Sequence, residues 1–295
     1  MTKTFSVLSI GIVAASFAAI FVRLSNAPSL VISFWRMSLA SLILLPFVCL
    51  REDSRRAIAD LGPRDISSVL FSGLFLGLHF ATWISSLSFT SVASSIILVT
   101  TQPIFILLIE LAVFGKKPSR YLLTGVLIAV LGSLLIGYGD ITGSQFNLIG
   151  DLLALAGAFS VAVYFIIGRR VRKVLANLPY IFLVYSTSAL FLLLLCLIKG
   201  LPLVKYSANN FLLFAALPVG PTLIGHTSFN WALKRISASL VGVTLLGEPI
   251  FATLLAFLIL GEVPNVYSLI GGVFVLAGIY NIWKRRFSPE QTKKG

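Results

Sequence analysis

Five ionisable side chains stand inside long apolar stretches of this 295-residue sequence: Arg36, His79, Glu110, His226 and Glu248. Such groups are costly in an apolar setting and are therefore candidates for function. Glu248 directly precedes Pro249, which has no N–H and so leaves the Leu245 carbonyl without its helical partner. A carboxylate beside a broken helix supplies acceptors for a cationic group or a proton. The alternative is a structural carboxyl that a neighbouring hydroxyl satisfies.

A second proline interrupts an earlier apolar stretch in the same way. Pro103 frees the Val99 carbonyl, and Gln102 precedes it as Glu248 precedes its own proline. The two positions predict a polar but asymmetric site. Thr101 and the neighbouring hydroxyl residues either line a cavity there or bond their own helix one turn back, and the sequence leaves both readings open.

The only histidines are His79 and His226. Because the ordinary pKa of a histidine is about 6.5, each could relay a proton or bind a carboxylate. Trp83 follows His79 by four residues and shares its helix face, which suits an aromatic or amphipathic ligand. The alternative is a packed histidine bonded to a backbone carbonyl. Because no carboxylate pair stands near them, the two histidines predict no metal site.

Arg36 and Glu110 also have two readings each. Arg36 either extends toward the membrane surface as a structural anchor or, if deep, pairs with Glu110 or a substrate carboxylate. Glu110 lies a few residues before Lys116 and Lys117, so an interfacial ion pair is expected for it.

The elements that carry these residues are predicted to be membrane helices. The chain is 58% hydrophobic and only 11% charged, which excludes a disordered chain and an ordinary soluble domain. Two cysteines exclude a disulfide scaffold and a cysteine-based zinc site. A crossing helix needs about 20 apolar residues. Ten stretches qualify: 5–24, 29–50, 66–86, 92–114, 121–139, 148–168, 179–198, 209–233, 237–260 and 267–283.

The connections between these stretches are too short for a soluble domain, and no Walker-type phosphate loop occurs. ATP-driven transport by this chain alone is therefore not expected. The His-Glu-x-x-His pattern of membrane metalloproteases is missing too. We expect a protein that is not an enzyme, with no catalytic residues, no metal and no cofactor.

The net charge of +13 is explained by the orientation of the chain in the membrane. With a cytoplasmic N-terminus, 19 of the 23 Lys and Arg residues fall in cytoplasmic segments, three on the opposite side and one inside a span. This is a strong positive-inside signal. It predicts both termini in the cytoplasm and a multi-pass protein of the plasma (inner) membrane, surrounded by lipids, with no nucleic-acid partner.

The two halves repeat at a shift of 146 residues, with ten identical positions among the 34 from 101 to 134. The shift places five spans on five, and an odd number inverts the second unit in the membrane. Residues 1–140 and 141–295 are thus predicted to be two inverted five-helix repeats, the arrangement of many secondary transporters. The two halves can complete one bundle within a single chain, which permits a monomer, and the sequence leaves the oligomeric state open.

Several motifs resemble the EamA-type drug/metabolite transporters. They are residues 79–87 (HFATWISSL), 90–95 (TSVASS), 230–233 (NWAL), 237–239 (SAS), 246–249 (LGEP), 261–264 (GEVP) and 271–272 (GG). The resemblance implies an all-α membrane protein with ten helices in a 5+5 inverted bundle. It also implies a central cavity lined by spans 1, 3, 4, 6, 8 and 9. On this basis Asn230, Phe17 and Tyr164 join the candidates for the cavity.

Two functions follow as hypotheses. The first is export of a small-molecule substrate, such as an amino acid, by alternating access without ATP. The second is proton-coupled efflux of lipophilic cations, for which Glu248 would carry the proton. The substrate itself is not readable from the sequence.

Overall fold

The protein is a bundle of helices, described here from a computed structural model that covers residues 2–90, 92–115, 117–141, 148–261 and 266–286. Lys116 and residues 262–264 of the GEVP motif lie outside these ranges. Within them the regular elements are all helical. They are α1 (Thr2–Leu24), α2 (Ser29–Leu50), α3 (Glu52–Ala59), α4 (Pro63–Ser86), α5 (Val92–Val99), α6 (Gln102–Phe114), α7 (Arg120–Ile141), α8 (Leu148–Val171), α9 (Asn177–Ile198), α10 (Ala208–Leu217), a π-helix (Pro218–His226), α11 (Thr227–Leu233), α12 (Ala238–Leu245), α13 (Glu248–Leu255), a second π-helix (Ala256–Leu260) and α14 (Val266–Arg286).

Eight helical stretches of the described residues are long and apolar enough to cross a membrane. The fifth and tenth predicted spans correspond to α7 and α14, whose described side chains include the shorter apolar segments Arg120–Gly132 and Leu269–Ile282. The count of ten crossings therefore remains a prediction. Large apolar side chains are exposed on the outer faces of the helices, among them Leu42, Leu190 and Leu276. Such a surface suits contact with the lipids of a bilayer.

The fourth and ninth predicted spans are each divided by a non-helical turn. Thr100 and Thr101 separate α5 from α6, and Leu246 and Gly247 separate α12 from α13. Each following helix has its proline within the first turn, where a missing N–H costs nothing because that turn has no helical acceptor to serve. Both helix breaks are buried inside the bundle, since Thr100 and Leu246 are almost fully enclosed.

The eighth predicted span, 209–233, is not one regular α-helix. It runs as α10, then as the π-helix Pro218–His226, then as α11. Pro218 and Pro221 cannot donate the backbone hydrogen bonds of an α-helix, and the wider π turns accommodate them. The hydroxyl of Thr222 satisfies one of the displaced carbonyls, donating to Leu217 O at 3.2 Å.

Glycines bring α7 and α14 into close contact. A Cβ on Gly132 would lie 2.5 Å from the carbonyl oxygen of Gly271, and one on Gly125 would lie 2.9 Å from that of Gly278. The repeat aligns Gly125 with Gly271 and Gly132 with Gly278. Exchanging the two repeats therefore turns the Gly132–Gly271 contact into the Gly278–Gly125 contact, which is also present. Such reciprocal contacts are those of an approximate two-fold axis between the two helices.

Candidate functional site

A small buried cavity lies where both broken helices meet the rest of the bundle. Its volume is about 30 Å³, room for about two water molecules. The elements around it are α1, α2, α4, α5, α6, α8, α12, α13 and the first π-helix. The lining residues are Ala15, Ala18, Arg36, His79, Trp83, Val99, Thr100, Gln102, Val161, His226, Leu245 and Glu248.

The two helix breaks form one part of this lining. Thr100 and Gln102 flank the turn between α5 and α6, and Leu245 and Glu248 flank the turn between α12 and α13. Because a helix end carries backbone groups without helical partners, two breaks at one cavity concentrate polar groups in an apolar bundle. The small residues Ala15 and Ala18 of α1 keep the remaining side open.

Arg36 is fully inside the bundle, with only 1% of its surface exposed. Its Nε donates to the hydroxyl of Thr222 at 2.8 Å, and its guanidinium lies 4.1 Å from the centre of the Phe80 ring. The buried placement excludes the surface-anchor reading of the sequence. Hydrogen bonding on one side and an aromatic face on the other fix the guanidinium against the cavity.

His79 and Trp83 lie one helical turn apart on α4 and stack on each other, with ring centres 5.9 Å apart and planes inclined by 6°. The Nδ1–H of His79 donates to the carbonyl of Gly157 on α8 at 3.0 Å. His79 is therefore bonded to a backbone carbonyl, which is one of the two alternatives given for it above, and its ring also lines the cavity. His226 lies 6.1 Å from His79 between ring centres, so the two histidines share this site.

Three buried nitrogen atoms at the cavity have no hydrogen-bond partner in the protein. They are Nη1 of Arg36, Nε1 of Trp83 and Nδ1 of His226. Leaving a buried donor unsatisfied costs about 1–3 kcal/mol, and more for a charged one. Native proteins keep few such groups, and a cluster of three in one cavity indicates that they serve a ligand or water.

Glu248 faces the same cavity as Arg36 without touching it. The ion pairs within 4.0 Å among the described residues, Arg51–Asp53 and Arg56–Glu52, both lie at the surface. The carboxyl group of Glu248 and the guanidinium of Arg36 thus stand apart at the cavity, one acidic and one basic group in a mostly apolar enclosure.

Four of the predicted cavity residues lie elsewhere. Thr101 donates to Leu98 O of the preceding helix α5 at 2.6 Å, and its neighbour Thr100 lines the cavity instead. Phe17 lies on another face of α1, in an apolar groove of about 680 Å³ beside the first π-helix. Tyr164 and Asn230 bond to each other, the phenol donating to the amide oxygen at 2.6 Å.

The Tyr164–Asn230 pair belongs to a second buried polar cluster, which the sequence did not suggest. The Nε of Arg172 donates to the backbone carbonyl of Asn230 at 3.1 Å. Arg172 also donates to the carbonyl of Leu175, and only 2% of its surface is exposed. Burial lowers the pKa of Arg172 to about 10, so it stays charged at neutral pH. This cluster ties α8 to α11 below the cavity.

Glu110 lies away from the central cavity. Ser239 donates to its carboxylate at 2.6 Å, and the two residues join α6 to the start of α12. Arg169, Arg170 and Lys173 line the same cleft, which has a volume of about 330 Å³. Of the two expected partners, Lys116 is outside the described residues, and Lys117 forms no ion pair with Glu110 within 4.0 Å.

Two residues of the site were missed at the sequence level, Thr222 and Phe80, which hold Arg36 in place. Thr222 precedes His226 by four residues, a spacing that places both on one side of a regular helix and could have drawn attention to it. No group of three or more His, Cys, Asp or Glu side chains suited to a metal ion occurs in the part of the chain that the structure describes.

Comparisons with known proteins give this site its context. The chain resembles "Uncharacterized transporter YdfC" of Bacillus subtilis (strain 168), with 27% identity over 276 residues that cover 92% of this chain and 87% of the relative. It also resembles a "Probable amino-acid metabolite efflux pump" of Salmonella typhimurium, with 26% identity over 189 residues that cover 61% of this chain and 63% of the relative.

A solved crystal structure shares the fold, with a TM-score of 0.77 and 21% identity over 98% of this chain and 100% of that chain. The model of the EamA-like transporter family matches the sequence twice, over residues 3–138 and 148–283. Together with the apolar helices, these matches make the protein a multi-pass membrane protein. The two family matches cover nearly all of the sequence, and the chain belongs to the EamA-like transporter family.

Proposed function

We propose that this protein is a secondary transporter that exports small metabolites such as amino acids by alternating access through the central cavity. The observation that carries the proposal is the cavity itself, which gathers Arg36, Glu248 and three unpartnered nitrogen atoms inside an apolar bundle. The relative named as an amino-acid metabolite efflux pump supports the choice of substrate. No cofactor enters this proposal.

The proposal includes a topology of ten membrane helices in two inverted five-helix repeats, residues 1–140 and 141–295. The reciprocal glycine contacts between α7 and α14 support the inverted arrangement. The basic residues support cytoplasmic termini in the plasma (inner) membrane. One chain, surrounded by lipids, contains both repeats and would work as a monomer.

Alternating access requires the cavity to change size. At about 30 Å³ it holds water but not a metabolite, so the structure corresponds to a closed state in this proposal. The turns at Thr100–Thr101 and Leu246–Gly247 are the natural hinges, because the regular helical bonding pattern changes there. The N–H groups of Thr101, Leu246 and Gly247 bond to carbonyls three residues back instead of four. Movement of α6 and α13 about these turns would open the cavity.

Counterflow in liposomes tests the function. Purified protein is reconstituted without ATP into vesicles loaded with one of the twenty common L-amino acids, and entry of the same radiolabelled amino acid is followed. We expect saturable counterflow for at least one amino acid and its loss in Glu248→Gln. Glu110→Gln is the matched control, since it removes a carboxylate outside the cavity and should retain transport. No counterflow across the panel would contradict the proposal.

Proton-coupled efflux of lipophilic cations is the competing function, and Glu248 on the cavity favours it. The buried Arg36 in the same cavity opposes it, because like charges repel strongly in an apolar surrounding. Uptake of tetraphenylphosphonium driven by a pH gradient, with no amino-acid counterflow, would decide for the cation.

A further inference from the structure

Three residues that line the cavity have a side-chain nitrogen without a hydrogen-bond partner in the protein. Arg36, Trp83 and His226 are more than nine-tenths buried, with exposures of 1%, 4% and 7%. Each has a side-chain nitrogen without a protein partner, and all three residues line the same small cavity. The guanidinium and the indole can only donate, since neither has a lone pair for accepting a hydrogen bond.

These donors are held in position. The Nε of Arg36 is bonded to Thr222, and the guanidinium rests on Phe80, so Nη1 has little freedom. Trp83 is stacked on His79, which is itself anchored to the backbone of Gly157. A rigid donor set binds its ligand without the entropy loss of ordering flexible side chains.

The chemistry of this set fits a carboxylate. Arginine is always charged and binds planar anions through parallel N–H groups, and a neutral N–H beside it completes the contact. A cationic group would find no acceptor on the nitrogens of Arg36 and Trp83. The negative group of the cavity, Glu248, stands apart from Arg36 with no ion pair between them. A ligand that carries both charges can span this separation.

We propose that Arg36 and Trp83 form a carboxylate-binding subsite, which accepts the carboxylate of a zwitterionic substrate while Glu248 faces its ammonium group. This inference rests on the proposed transport function and adds the residues that decide the substrate. A zwitterion adds no net charge to a cavity that already holds one basic and one acidic side chain. The subsite thus selects amino acids over amines and over amino-acid amides.

The test compares acids with amides. Each of the twenty common L-amino acids and its carboxamide is offered in the counterflow assay to the full-length protein. We expect the acids to be transported and their amides to be at least about tenfold weaker, because the amide leaves charged donors poorly satisfied. Arg36→Gln should weaken transport of the acid by about 10- to 100-fold.

Trp83→Phe isolates a single donor, since it removes the indole N–H and keeps an aromatic ring on His79. We expect the apparent affinity for the acid to fall by about tenfold. Trp35→Phe is the matched control, because the Trp35 indole donates to Leu203 O at 2.8 Å outside the cavity. Arg23→Gln is the control for the charge, since Arg23 bonds the Leu87 carbonyl at a distance from the site.

Two outcomes overturn the subsite. Amides transported as well as acids would show that no carboxylate is recognised, while leaving the transport function standing. Unchanged affinity in both Trp83→Phe and Arg36→Gln would show that these donors do not touch the substrate. A failure of every acid and every amide to exchange would overturn the transport function together with the subsite. Size-exclusion profiles that match the wild type identify the variants that fold.

Discussion

Replacing Gly132 by alanine should destabilise the protein, because α7 and α14 leave no space for a side chain there. The new Cβ would lie 2.5 Å from the Gly271 carbonyl oxygen and 2.8 Å from Cβ of Phe274. A carbon–oxygen contact is normally about 3.3–3.6 Å, so the helices must separate by nearly an ångström. Overpacking of this kind costs about 1–3 kcal/mol.

Alanine recovers part of this loss, since it is favoured over glycine within a helix by about 0.5–1 kcal/mol. The net loss expected for Gly132→Ala is therefore about 0–2.5 kcal/mol relative to the wild type, or a fall in the unfolding temperature of up to about 10 °C. Gly278→Ala, at the repeat-equivalent position, should lose a similar amount because its Cβ would lie 2.6 Å from the Gly125 carbonyl oxygen.

Thermal unfolding of the purified variants in detergent, followed by circular dichroism, measures these losses. Gly220→Ala is the matched control, because nothing lies within 4 Å of a Cβ at that position and its stability should be unchanged or slightly higher. A Gly132→Ala protein as stable as this control would refute the close approach of α7 and α14. Clearly unequal losses at Gly132 and Gly278 would refute the two-fold relation between them.

Three further predictions concern other parts of the molecule. Ser239→Ala should lower the free energy of unfolding by about 1–3 kcal/mol, because it removes the hydrogen bond to the Glu110 carboxylate, and counterflow should persist; a stability equal to the wild type would contradict that bond. Tyr164→Phe should cost about 1–3 kcal/mol in the same unfolding assay, since the buried Asn230 amide, whose nitrogen already has no partner, would lose its contact at the oxygen as well; no measurable change would contradict the geometry. Cys49, exposed near the end of α2, should react with a membrane-impermeant maleimide only from the cytoplasmic face, and labelling from the outside of intact cells would reverse the proposed orientation.

The helical architecture was largely predictable, because apolar runs of about twenty residues have few alternatives to a membrane helix. The family expected from the sequence motifs is confirmed by the match over both halves. The form of the eighth span was not predictable in the same way. Two prolines in 209–233 signal an irregular helix, but whether they produce a kink or the π-helix Pro218–His226 depends on how neighbouring helices satisfy the displaced backbone groups.

The site was only partly predictable, for a geometric reason. The sequence identified His79, Trp83, Gln102, His226 and Glu248 as cavity candidates, and the structure places all five around one cavity. These residues share a signal, a polar or aromatic type inside an apolar run or beside a proline. Their convergence depends on contacts between helices far apart in the chain, which spacing alone does not give.

Arg36 and Thr101 show where sequence reasoning ends. Whether Arg36 extends to the surface or turns inward depends on Thr222 and Phe80, which lie on other helices. Thr100 and Thr101 are adjacent residues in a turn, yet only Thr100 lines the cavity. The helical period does not predict the directions of successive side chains in a turn. In both cases the decisive partners are brought near only by folding.

The glycine contact between α7 and α14 has a mechanical consequence for a transporter that works by exchanging the roles of its two halves. Under that exchange, the contact of Gly125 with Gly278 becomes the contact of Gly271 with Gly132, which the protein already makes. Contacts that the axis maps onto each other are the same in the inward-facing and outward-facing states. The seam between the two helices can therefore serve as a fixed pivot, since it need not be broken and rebuilt in each cycle.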